Sequence, residues 1–320
     1  MFKKRRKLKK KSLILLISLV LVFVIGVAGF ILFKHYTSLE YKLGKVGYND
    51  DEVKAIVKSD QGVVDKALKK YDEHLIPLTK EKYFMWKNYD VYKEFINKKF
   101  QETNDIDYGE IVTKVNVKRN YEFYTHTVQA DMSKNFEILV NKYYYLPDKY
   151  APTDIVNIGN QYGFGDNRIR KDVFEAFKNM FNAAKKENIT LIINSGYRDY
   201  DYQKKLYDGY KNTKGLEYAD GYAARPNFSE HQSGLALDII TYGASGTTFD
   251  STDAFKWLKK NADKYGFILR YPKDKEDITG YSYESWHWRY VGTDLAKKVK
   301  SSGLTYDEYY AYYIDGDKNA

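Results

Sequence analysis

Two histidines, His231 and His287, sit in the segments NFSEHQSGLALDII (227–240) and YESWHWRYVG (283–292). The chain has five histidines and no cysteine, and these two are the only histidines beyond residue 126. Zinc hydrolases take three protein ligands from His, Asp and Glu and leave a fourth position for water. A pair of imidazoles therefore needs one carboxylate nearby. Asp238 is a candidate. It lies between Leu237 and Ile239 in an apolar run, where an unpaired charge is costly. A metal would satisfy it, and so would an arginine. On an unbroken strand, residues seven apart point to opposite faces. His231 and Asp238 converge only if the chain bends, and Ser233-Gly234 offers the bend. Glu230 is the rival carboxylate, but in an extended segment it faces away from His231, whereas Ser229 shares the face of His231. Glu284 precedes His287 by three residues. It is the candidate general base, because a base must come within ~3 Å of the proton it takes. Trp286, Trp288 and Tyr290 alternate with His287 and Arg289 and read as core or pocket wall. The plainer alternative is a pair of satisfied structural histidines.

Several elements must hold these residues. KDVFEAFKNMFNAAKKENI (171–189) predicts an amphipathic helix that buries Val173, Phe174, Phe177, Met180, Phe181 and Ala184. TLIINSGYR (190–198) predicts a short apolar strand ending in a turn, and DYQKKLYDGYK (201–211) a helix. GLALDII, FILRY and SWHWRYVG predict strands, and DAFKWLKKNADKYG (253–266) a helix stopped by Gly266. GEIVTKVNV (109–117) alternates as a strand does, and residues 141–159, with Pro147 and Pro152, read as an extended loop. The tyrosines of LTYDEYYAYYI pack one helix face. Helices and strands are mixed without a βαβ repeat, so the fold class is α+β.

Further upstream the character changes. Residues 37–105 read as helical and polar, with Tyr83, Trp86, Tyr89, Tyr92 and Phe95 at helical spacing in TKEKYFMWKNYDVYKEFINKKF (79–100). The 22 residues from Ser12 to Phe33 carry no charge. As a helix they span ~33 Å, enough to cross a bilayer. Eight basic residues precede them, and only Lys34 and His35 follow closely. The positive-inside rule then puts the N-terminus in the cytoplasm and the rest outside. A cleaved signal peptide is the rival, but its apolar region is shorter, at ~7–15 residues. The expected organisation is a basic tail (1–11), a transmembrane anchor (12–33), an extracytoplasmic helical module (34–105) and a catalytic domain (106–320). Eight of the net nine positive charges lie in the tail, leaving a net of +1 elsewhere. The high isoelectric point is thus no argument for nucleic acid as a partner; the tail suits anionic lipid headgroups. Without cysteine there are no disulfides and no lipoprotein anchor.

SGYRDYDYQ (195–203), SEHQSGLALDI (229–239) and ESWHWRYVG (284–292), in that order and spacing, resemble the VanY-type D-alanyl-D-alanine carboxypeptidases and the related L,D-carboxypeptidases of peptidoglycan. These form peptidase family M15B, with a hedgehog-like zinc fold. The likeness covers roughly Tyr143 to Ile314, with no departure at a metal or catalytic position. It implies that His231, Asp238 and His287 bind one Zn²⁺ per chain and that Glu284 activates the water. It implies that Arg198 stabilises the carbonyl oxygen or binds the terminal carboxylate, and that Gln203 and Ser229 contact the peptide. The expected activity is removal of the C-terminal D-Ala from peptidoglycan stem peptides. L,D-cleavage of tetrapeptide stems would use the same ligands. A wall-binding protein with a structural zinc is the third reading, against which Glu284 speaks, since a structural site needs no base.

Overall fold

The computed structural model describes residues 2–99 and 105–315, and the chain falls into two compact units, Met1–Phe84 and Met85–Ala320. The first is all helical. Helix α1 (Phe2–Thr37) contains the stretch Leu15–Thr37, which has a mean hydropathy of 3.1 and is long and apolar enough to cross a membrane. Its apolar side chains are exposed from Leu15 to Phe33; the basic side chains before it lie outside the described residues. Four short helices follow, α2 (Leu39–Val46), α3 (Asp50–Val57), α4 (Gln61–Lys69) and α5 (Leu75–Thr79). Ser38, Asn49 and Asp60 cap three of them by accepting backbone N–H bonds of the first turn. Leu43, Ile56, Ala67 and Leu75 are fully buried.

The second unit begins with α6 (Tyr89–Lys99) and α7 (Tyr108–Asn116). Of the aromatic series from Tyr83, only Tyr89, Tyr92 and Phe95 lie on α6; Trp86 sits in a 3₁₀ turn before it, and residue 100 lies outside the described residues. Helix α7 corrects the strand expected over 109–117. Ile111, Val112 and Val115 are buried at helical spacing, and Asp107 caps the helix by accepting from the Glu110 N–H. The β-branched alternation was outweighed by the cap and by packing against α6.

Two short ladders come next, β1 (Val128–Gln129) beside β2 (Tyr144–Tyr145) and β3 (Ile155–Asn157) beside β4 (Arg168–Arg170). The segment expected as loop from 141 to 159 thus supplies β2 and β3. Helix α8 (Lys171–Lys186) buries Val173, Phe177, Met180 and Ala184 completely, with Phe174 and Phe181 half-buried at its flank. Strand β5 (Ile192–Ser195) leads to α9 (Tyr200–Lys214) and α10 (Leu216–Tyr222), and β6 (Ala236–Ile240) follows. Helix α11 (Asp253–Asn261) ends in a 3₁₀ turn stopped at Gly266, whose φ is 88°. Strand β7 (Phe267–Tyr271), the turn of helix α12 (Glu276–Thr279), strand β8 (Glu284–Tyr290), α13 (Thr293–Ser302) and α14 (Tyr306–Tyr309) complete the unit.

The central sheet is antiparallel, in the order β5-β6-β8-β7. Its core combines α8, α11 and the inward residues Ile193, Leu237, Ile239 and Trp288. Register decides where chemistry falls. Ser195 pairs with Asp238, and Asp238 pairs with His287, so the three form one row across three strands. The α+β class describes this unit.

Candidate metal centre and active site

Asp238 and His287 are neighbours by register, so only His231 must be brought to them. It does not lie on a strand. Residues Glu230–Ser233 form a 3₁₀ turn, and Gly234 ends it at φ 70° before β6 begins. A Cβ on Gly234 would lie 2.7 Å from Arg170 Cγ, so the bend requires glycine twice over. This bend resolves the parity conflict between His231 and Asp238. His231 Nδ1 faces the Gly196 carbonyl oxygen at 2.7 Å, where a Cβ on Gly196 would strike the Arg168 carbonyl oxygen. The proton therefore belongs on Nδ1, and the Nε2 lone pair faces Asp238 Oδ1 at 3.3 Å.

His287 is held in the opposite sense. Its Nε2 meets Glu230 Oε2 at 3.2 Å, and its Nδ1 lies 3.5 Å from Asp238 Oδ1 and 3.5 Å from Glu284 Oε2. Donor atoms of His231, Asp238 and His287 all lie within 4.8 Å of one another. Asp238 Oδ1 is buried without a hydrogen-bond partner. Tetrahedral ligands at the usual zinc distances of about 2.0–2.1 Å sit about 3.3–3.4 Å apart. Two imidazole lone pairs and an orphaned carboxylate oxygen at this spacing fit a divalent cation. Burial and the nearby Arg198 push the His231 pKa down, which suits a neutral ligand. Burial alone would lower that of His287, but Asp238, Glu230 and Glu284 outweigh it and push it up to about 9. The carboxylates around this imidazole thus call for a positive charge, as a proton or as a metal ion.

The other oxygen of Asp238 answers the arginine alternative. Arg198 Nη2 donates to Oδ2 at 2.8 Å, and Arg198 Nε to Ser195 Oγ at 3.0 Å. Asp238 therefore has an arginine on its outer oxygen, while its inner oxygen faces the imidazoles without a hydrogen-bond partner. Glu284 is largely buried, and that burial pushes its pKa up to about 7, with Asp238 adding to the rise while His287 and Arg198 oppose it. These groups form the floor of an open cavity of about 640 Å³ also lined by Arg198, Gln203 and Ser229. Gln203 is 1% exposed; its Nε2 donates to the Ala224 carbonyl oxygen while its Oε1 has no partner. Ser229 is buried beside His231. The structure brings all seven predicted residues to one cavity. Trp286 lines it, whereas Trp288 is core.

Sequence reasoning missed the support behind His287. Glu230, set aside as facing away, turns inward because the turn is 3₁₀ rather than extended. Its Oε1 accepts from Arg270 Nε and Arg289 Nη1, each at 2.8 Å, and Arg270 Nη1 reaches Asp307 Oδ2 at 2.5 Å. None of the four is more than 2% exposed. Burial alone would raise the Glu230 pKa, but the two guanidinium groups hold it below the usual carboxylate range. The signal was present: FILRY and WHWRYV each place one arginine in an apolar strand, and such a charge demands a buried partner.

A sheet and the turn before it that present two imidazoles and a carboxylate to a cavity, with a separate, largely buried carboxylate beside them, have the make-up of a hydrolytic metal centre. Comparison with known proteins narrows the class. The profile of the family VanY, D-alanyl-D-alanine carboxypeptidase, matches residues 166–293. YodJ of Bacillus subtilis (strain 168), named provisionally as a carboxypeptidase, is 46% identical over 184 residues, 55% of this chain and 67% of YodJ. A D-alanyl-D-alanine carboxypeptidase of Enterococcus faecium is 40% identical over 184 residues, 55% of this chain and 57% of that protein. The chain thus spans about two thirds or less of these two relatives. The solved structure of the LD-carboxypeptidase LdcB, described with its peptidoglycan recognition, superimposes with a TM-score of 0.55 at 44% identity, covering 59% of this chain and 91% of that one. The chain belongs to the VanY-type carboxypeptidases of family M15B, a family of zinc metallocarboxypeptidases.

Proposed function

We propose that the chain is a membrane-anchored, zinc-dependent D,D-carboxypeptidase that removes the C-terminal D-Ala from peptidoglycan stem peptides. One observation carries the reading: two oriented imidazole lone pairs and the unpartnered Asp238 Oδ1 meet beside the largely buried Glu284 at the floor of an open cavity. His231, Asp238 and His287 would hold one zinc ion per chain. When bound, zinc polarises the scissile carbonyl and lowers the pKa of water toward ~7. Glu284 takes the proton of the attacking water and returns it to the leaving amine. A carboxyl group held near neutrality by burial suits both steps. Arg198 presents a guanidinium, half-satisfied by Asp238 and Ser195, to the developing oxyanion or the terminal carboxylate. Gln203 Oε1 accepts from a peptide N–H, and the Ser229 hydroxyl contacts the peptide beside it. The apolar helix α1 and the basic residues before it support an anchor with a cytoplasmic N-terminus and a catalytic unit facing the wall.

L,D-cleavage is the second reading, favoured by the 44% identity to LdcB. The test is mass spectrometry of pentapeptide and tetrapeptide stems incubated with the full-length chain in detergent, with and without chelator. Chelator-sensitive loss of one alanine from the pentapeptide is expected. Loss from the tetrapeptide alone selects L,D-cleavage, and loss from neither refutes the assignment.

A further inference from the structure

The cavity above the metal ligands is larger than a peptide terminus requires, since sites of several hundred Å³ hold whole drug-sized ligands. Its far wall is built by α9 and α10. Gln203, Leu206 and Tyr210 line it at i, i+3 and i+7, so they form one stripe along α9. From Gln203 to Tyr210 the helix rises about 10 Å, the length of about three extended residues. Helix α10 adds Tyr218 and Tyr222, stacked with ring centroids 4.5 Å apart, and Tyr210 lies 5.8 Å from Tyr218.

The tyrosines are presented outward. Tyr222 is 52% exposed and Tyr218 38%, and both line the cavity. They are also fixed in place. Tyr207, Ala219 and Ala223 are buried between the two helices. Asp220 accepts from the Tyr207 hydroxyl at 2.7 Å and from Arg225 Nη2 at 3.0 Å, and its carbonyl oxygen accepts from Lys142. Among the described residues between Gln203 and Ala224, none that lines the cavity is charged.

An uncharged, rigid aromatic wall about 10 Å along α9 from Gln203, a reach of about three extended residues, is a poor partner for the ionised side chains of a stem peptide. It matches a pyranose ring, whose C–H face packs on an aromatic face while its hydroxyls meet the phenol groups. We propose that Tyr210, Tyr218 and Tyr222 form a carbohydrate subsite that stacks on the amino sugar to which the stem peptide is joined. The enzyme then takes glycan-attached stems in preference to free peptide. This rests on the stem-peptide reading of the site.

The test compares kcat/KM of the full-length chain in detergent on a free stem peptide and on the same stem joined to its amino-sugar disaccharide. The sugar should raise kcat/KM about tenfold, mainly through KM. Tyr218→Ala with Tyr222→Ala should abolish that advantage while the free peptide is cleaved at the original rate, and that rate shows that the variant has folded. Tyr222→Phe should keep most of the advantage. Equal kcat/KM for both stems in the unmodified chain, or equal losses on both in the variant, overturns the subsite. If neither stem is cleaved, the functional reading fails and the subsite is judged by saturation-transfer NMR with the disaccharide alone. Transfer to the ring protons that disappears in the double variant sustains it, and no transfer overturns it.

Discussion

Two carboxylates reach the same imidazole from opposite sides, and their surroundings differ. Glu230, at Nε2 of His287, is held by two buried guanidinium groups and stays ionised. Glu284, at Nδ1, is less completely enclosed, with 12% of its side chain exposed, and has no arginine on its oxygens among the described residues; burial pushes its pKa up to about 7. Burial raises the proton affinity of a carboxylate, and whether a cation compensates decides what it can do. A compensated carboxylate is a strut that fixes a ring. An uncompensated one can exchange a proton at neutral pH. The difference supports a positioning role for Glu230 and the proton transfer proposed for Glu284.

The largest expected effect tests the imidazole they share. His287→Ala should abolish hydrolysis and remove bound zinc, measured by elemental analysis of the purified full-length chain; unchanged zinc content would dissolve the ligand set. Glu284→Gln comes next. It should cut kcat by about 10²–10⁴-fold with zinc content and thermal unfolding midpoint unchanged, because a neutral amide replaces a carboxyl that burial already favours as neutral. Full activity in this variant would take the base role away from Glu284.

Glu230→Gln should show the reverse profile. Neutralising it leaves Arg270 and Arg289 buried with less compensation, a loss of about 3 kcal/mol or more in unfolding free energy. Zinc affinity should fall by about 10–100-fold as the imidazole loses its anchor, while kcat of the zinc-saturated variant drops far less than in Glu284→Gln. Chemical denaturation and a competitive zinc titration measure both. If Glu230→Gln loses turnover at saturating zinc as fully as Glu284→Gln does, the two carboxylates do not differ in role.

The contrast was only half legible in the sequence. The sheet was readable because LALDI, FILRY and WHWRYV are apolar runs set off by Gly266 and Gly292, and α8 because its stripe repeats at helical spacing. His231, Asp238 and His287 were readable as candidates because scarce histidines met a lone carboxylate in an apolar strand, and the family resemblance joined them into one ligand set. Glu230 was not, because its direction depends on a turn type. In an extended chain neighbours of His231 face away; in the 3₁₀ turn Glu230 comes round beneath His287. Helix α7 failed for a related reason, since Ile111, Val112 and Val115 suit a strand or a helix and the Asp107 cap decides. The aromatic wall of α9 and α10 was invisible because its rings belong to one surface only after Gly215 folds one helix onto the other.

Arg289→Lys should have the smallest effect on the metal and is the sharpest probe of why Glu230 is ionised. Arg289 spends one nitrogen on Glu230 and another on the carbonyl oxygens of Phe136 and Ile138. A lysine keeps the charge but cannot reproduce that fork, so two buried carbonyls lose their donor at about 1–3 kcal/mol each at most. Arg270 remains on the same Glu230 oxygen, so the strut stays charged and His287 stays oriented. Stability should therefore fall clearly, while zinc affinity changes by less than about tenfold. A loss of zinc as large as that of Glu230→Gln would mean that Glu230 acts through the exact placement fixed by Arg289 rather than through its charge. The division between strut and proton carrier would then be one of geometry instead of electrostatics.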